Sequence, residues 1–256
     1  MELVKPEPLV IGGKAHYTLT SYGPVSVEVE VPNVSEEDVD LALAATVAQA
    51  GGTPEDLYND IWVHKTFPEV LDGNELRAVI REQMLAMQVQ ITEEQKAAKC
   101  ADALAQRLVQ RVPQGEVARV RSSITQAFAM SLKQDGLTES EFLQQTGMRH
   151  ADVELMFDQQ AQATAEREAA IGAWAEYHKL QVTEDELAEL LGIPEDQRAE
   201  MLNQARHVGQ IEHLRDAAVQ NKAMGMILSE CNCTYVHEPS NQQQDKGSGH
   251  PHLKLV

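Results

Sequence analysis

Aromatic side chains are scarce in this sequence of 256 residues, at 4% of the chain. Apolar residues still make up 43%. A core is therefore within reach, built mostly from aliphatic side chains and methionine. Positive charge is also in short supply. Twenty-one Lys and Arg face 40 Asp and Glu, for a formal net charge of −19. That balance argues against nucleic-acid backbones and anionic membrane surfaces as partners and leaves basic or apolar ones. Cysteine occurs three times, an odd number in a chain too large to need disulfide staples. No apolar run approaches the roughly 20 residues of a spanning helix. In the N-terminal stretch MELVKPEPLVIGGKAH, prolines and glycines stand where a signal peptide would carry a continuous apolar core. The expectation is a cytoplasmic protein of one large domain or two ordinary ones.

Recognisable chemistry is missing as well. Cys231-Asn232-Cys233 with His237 offers three ligands at a spacing that matches no common zinc pattern. His207 and His213 lie six apart, about 120° out of register on a helix, so they do not form the metalloprotease pair. The carboxylate pairs fall in the first turns of helices, where capping accounts for them. No nucleophile elbow, phosphate-cradling loop or dinucleotide fingerprint is present. The residues make no case for an enzyme, a metal or a cofactor.

What is present is helical periodicity. Val25, Val27, Val29 and Val31 first alternate with Ser26, Glu28 and Glu30, as in a strand with one apolar face, until Pro32 stops it. Ser35 then caps a helix with Glu36, Glu37 and Asp38 in its first turn and Val39, Leu43 and Val47 on one face. It ends at Gly51-Gly52, and Pro54 opens the next segment. Leu76, Ile80, Met84 or Met87, and Ile91 start a very long helix that the pattern carries to Val112-Pro113. Val117, Val120, Ile124, Phe128 and Leu132 define another, ending at Asp135-Gly136. Thr138–Glu141 and Thr183–Glu186 have the capping-box form and open two further helices. Between them a long helix spans Ala151 to about Leu180, and a last one is predicted from Glu195 to about Ser229. Leu9–Ile11 and Tyr17–Thr20 suggest an N-terminal hairpin or arm, and Thr234-Tyr235-Val236 a final strand. The tail from 237 to 256, with His250 and His252, is polar and of low complexity, and it is expected to be disordered. Methionines recur on the long helices, at positions such as Met84, Met87, Met130 and Met201. They serve either as core filler or as an adaptable surface for varied partners.

Several stretches resemble the trigger factor family, the bacterial chaperones that meet nascent chains. T20-S-Y-G-P-V-S-V-E-V-E-V-P-N-V-S-E-E-D-V-D40 resembles the family's join between its first and second domains. L76-R-A-V-I-R-E-Q-M84 is similar to the start of its C-domain, and V112-P-Q-G-E-V-A-R-V120 to the opening of its first arm. L137-T-E-S-E-F-L-Q-Q-T-G147 and L180-Q-V-T-E-D-E-L187 follow in the family's order. The family's ribosome-contacting loop has no counterpart, so ribosome docking is not carried over. The isomerase domain of relatives would fall where Gly51-Gly52 stands, so prolyl isomerase activity is not carried over either.

The resemblance implies a mainly α fold, with long helical hairpins forming two arms on a helical body and a short N-terminal strand or hairpin. It divides the chain into an extension (1–24), a strand–helix module (25–52), a chaperone domain with two arms (53–236) and the tail. It further implies an ATP-independent chaperone that holds unfolded or nascent polypeptide between the arms. Ile124, Phe128 and Leu132 on the first arm and Leu191, Ile193 and Met201 on the second are the expected client contacts. The competing expectations are a dedicated assembly adaptor for one partner and, behind it, a divergent prolyl isomerase. A homodimer is compatible with all three.

Overall fold

The computed structural model describes residues 5–12 and 14–237, and those residues are mainly α-helical with a few short strands. The tail expected to be disordered lies outside the described residues from position 238 onward, His250 and His252 included. Two compact units are formed. Among the described residues, the larger takes those up to 27 together with 99–232, and the smaller takes 28–98 with 233–237.

The smaller unit begins within β3 (Ser26–Val31), whose valines turn inward while Glu28 and Glu30 face out, as the alternation requires. Helix α1 (Glu36–Gln49) starts at Ser35, whose hydroxyl accepts the Asp38 amide at 3.1 Å while the Asp38 carboxylate accepts the Ser35 amide at 2.9 Å. Gly51 closes α1 with φ +77°, a left-handed angle that favours glycine. Gly52 is needed for a different reason: a Cβ there would come within 2.3 Å of the Trp62 ring. The double glycine lets the chain turn and then lay Trp62 against its backbone. A 3₁₀ turn (Pro54–Tyr58) and α2 (Asp60–Thr66) follow, then α3 (Gly73–Ala105). Val39, Leu43, Val47, Val63, Val70, Leu76 and Ile80 form the core of this unit, with Trp62 and Phe67 packed edge to face beside it. Across α1 and α3, Arg77 bridges Glu36 and Asp40, and Arg81 also reaches Glu36. β4 (Asn232–His237) completes a two-stranded sheet with β3.

The larger unit is built on α4 (Gln114–Gln134), α6 (His150–Tyr177) and α9 (Ile211–Glu230). On α6, Ala161, Ala165, Ala169 and Ala173 recur every four residues, so one narrow face runs along the helix. Small side chains there let α4 and α9 approach closely, and Trp174 seals the end of the stripe. The Trp174 indole donates to the Tyr22 carbonyl at 3.2 Å. Residues 14–25 belong to this core: Leu19 and Val25 are buried in it, and Lys14 pairs with Asp216. The N-terminal hairpin is β1 (Leu9–Ile11) paired with β2 (Lys14–His16), slightly earlier than the sequence suggested.

Two helix boundaries depart from the sequence reading. α3 stops at Ala105, not at Val112, because Leu108 pairs with Leu19 and the Val109 amide donates to the Thr18 carbonyl at 3.0 Å. Backbone pairing with the N-terminal segment displaces the helical bonds, and Arg107 fixes that segment through the carbonyls of Ser21, Gly23 and Pro24. The predicted last helix is two helices, α8 (Arg198–His207) and α9, separated by Gly209 at φ +71°. Both halves keep their apolar spacing, which conceals the break.

Candidate polypeptide-binding site

Each arm carries a small core of its own, apart from the base. On the first, α4 turns at Gly136, Thr138 caps the short α5 (Glu139–Thr146), Gly147 at φ +68° ends it, and α6 returns. Leu132, Phe142, Val153 and Phe157 meet at the tip, and the Phe128 ring stands edge-on to Phe142 and Phe157 at 5.2 Å from each. Arg121 ties α4 to α6 through Glu154 and Asp158, and the Asp158 bond leads in holding the guanidinium protonated. At 28 residues, α6 is about 42 Å long at 1.5 Å per residue. On the second arm, α7 (Glu184–Leu190) begins at Thr183 and packs Leu187 against Leu202 of α8 and Ala218 of α9. Lys222 donates to Glu186 at 2.6 Å, and with the Thr183 amide it pulls the Glu186 carboxyl down to about 2. Arg206 pairs with Glu184 at 2.7 Å.

The six expected client residues occupy distinct environments. Leu132 is buried in the tip core of the first arm. Phe128 is half-buried against that core, and Ile124 lies between it and the base. Leu191 and Ile193 are half-buried beside Leu187 at the Gly192 turn. Met201 is exposed, with 44% of its surface in solvent. The structure also exposes arm residues outside the expected set: Met130 at 63%, Leu155 and Val208. Met130 and Leu155 could have been found by phase, since Met130 is two residues from both Phe128 and Leu132 and therefore points off their face. Leu155 stands in the same relation to Val153 and Phe157.

Cys231 ends α9, its thiol directed to the Leu228 carbonyl at 3.2 Å, and Cys233 lies on β4. Among the described residues, no group of three or more His, Cys, Asp or Glu side chains is placed to hold a metal ion. No described helix is long and apolar enough to cross a membrane.

The larger unit is thus a helical base carrying two helical hairpins, each with an apolar cluster of its own, in a mainly α protein. Residues 74–229 match the family model for the bacterial trigger factor protein (TF) C-terminus, and the chain belongs to that family. The matched region is the family's chaperone domain rather than its isomerase domain. No curated protein matches the chain.

Proposed function

We propose that this protein holds unfolded or nascent polypeptide on the two arms of its larger unit, without ATP and without isomerising prolines, in the cytoplasm. The observation that carries this reading is the exposure of Met130, Leu155, Met201 and Val208 on arms whose own cores are already filled. Exposed apolar side chains that complete no core are suited to contact with other chains. Two of the four are methionines, whose flexible thioethers conform to varied surfaces. Of the six residues expected from sequence, Met201 belongs to this contact set. Ile124, Phe128, Leu191 and Ile193 offer only their solvent edges, and Leu132 supports the arm from within.

Contact over about 200 Å² at about 25 cal/mol/Å² yields roughly 5 kcal/mol before ordering costs, which is weak and exchangeable. The test is light scattering from a chemically denatured reporter protein diluted into buffer at near-equimolar ratio. Suppression of aggregation, unchanged by ATP and reduced in the Met130→Ser/Met201→Ser variant, supports the reading. Undiminished scattering in the presence of the unaltered protein overturns it. A protease-coupled prolyl peptide assay is expected to stay at background.

A further inference from the structure

The three most exposed large apolar side chains among the described residues all lie in the smaller unit: Tyr58 at 91%, Ile61 at 83% and Leu71 at 70%. They lie close together along the chain. Tyr58 closes the 3₁₀ turn that packs against α2, Ile61 stands in the first turn of α2, and His64 is one turn further along. The His64 ring meets the Val70 carbonyl at 3.0 Å, which brings the backbone just before Leu71 against α2. None of the three belongs to the core, although Leu57, Trp62, Val63 and Val70 beside them in sequence do. The unit therefore places one apolar side chain of each neighbouring pair inside and leaves the other bare.

Charge narrows what could cover this face. Between residues 53 and 75 the chain carries six carboxylates, on Glu55, Asp56, Asp60, Glu69, Asp72 and Glu75, against the single cation Lys65. We propose that the Tyr58–Ile61–Leu71 face docks a basic amphipathic segment of a partner protein, its apolar side chains on the three residues and its Lys or Arg side chains among the surrounding carboxylates. A second copy of this chain is a poor occupant, because a symmetric contact would set the same carboxylates against each other. Anionic partners such as nucleic acid meet the same repulsion. The face lies outside the arms, and the inference does not rest on their holding role.

The experiment is fluorescence anisotropy of labelled synthetic peptides, about 14 residues long, titrated with the full chain. One peptide alternates Leu and Lys to give an amphipathic face, a second replaces Lys by Glu, and a third replaces Leu by Ser. The Leu/Lys peptide is expected to bind, and the other two at least about tenfold more weakly. Tyr58→Ser/Ile61→Ser, which alters only exposed side chains, should weaken the Leu/Lys complex about tenfold. Glu55→Gln/Glu69→Gln should weaken it less and flatten its salt dependence. Met130→Ser/Met201→Ser should leave it unchanged, which separates this face from the arms. Equal affinity for the Leu/Glu peptide, or no loss in Tyr58→Ser/Ile61→Ser with circular dichroism intact, overturns the proposal. So does a sedimentation profile in which Tyr58→Ser/Ile61→Ser converts dimers to monomers, since a second copy would then be the occupant.

Discussion

Adjacent residues in this chain owe their identities to different physical demands, and Gly51 and Gly52 illustrate it. Gly51 needs its left-handed angle, so Gly51→Ala should cost about 1–2 kcal/mol. Gly52 needs absence of bulk, because Trp62 occupies the space of a side chain. Gly52→Ala should therefore destabilise the smaller unit by about 1–3 kcal/mol through displacement of the indole. Urea titration followed by Trp62 emission, in a Trp174→Phe background, reads both. Glu186 presents an electrostatic case. Its carboxyl sits near 2 in the fold against an ordinary 4.5, with Lys222 the larger cause and the Thr183 amide the next. A depressed pKa contributes stability that is complete above the unfolded value, here 4.5, and is lost as pH falls toward about 2. In Glu186→Gln, thermal midpoints should fall less steeply over that interval than in the unaltered chain, as differential scanning calorimetry would record. Equal slopes would mean the Lys222 contact is not held in solution.

Among the elements, the first arm depends on a few aromatic contacts at its tip. Phe157 is buried there and touches Phe128 edge to face. Phe157→Ala should cost about 3–5 kcal/mol, concentrated in the arm. Hydrogen exchange should then quicken in α5 and the C-terminal half of α4, with α9 little changed. Leu132→Ser should behave in the same way, and any loss of client holding would follow from a loosened arm. Elements whose ends are set locally could be read from sequence: Ser35, Thr138 and Thr183 each carry the acidic partner three residues on, and each starts a helix in the structure. The early end of α3 could not, because Leu108 is diverted by pairing with Leu19, some ninety positions earlier. The break at Gly209 was concealed by residues on either side that keep helical spacing. On a thin hairpin an apolar stripe is what the hairpin buries first, so the stripe residue Leu132 is inside, whereas Met130 and Leu155, off the stripe, are exposed.

The whole molecule distributes its two tryptophans one to each compact unit, Trp62 in the smaller and Trp174 in the larger. Each unit has a separate apolar cluster, so single-tryptophan variants should report two denaturation midpoints. Coincident curves from Trp62→Phe and Trp174→Phe would show one cooperative body instead. The path of the chain carries one more consequence. β3 precedes β4, its only strand partner among the described residues, by some two hundred positions, and β4 begins at Asn232, whose amide reaches back to the Val25 carbonyl at 2.8 Å. Pairings so distant in sequence form late. Until β4 has been synthesised, the edge of β3 has no strand to join, so this small sheet must be among the last parts of the fold to close.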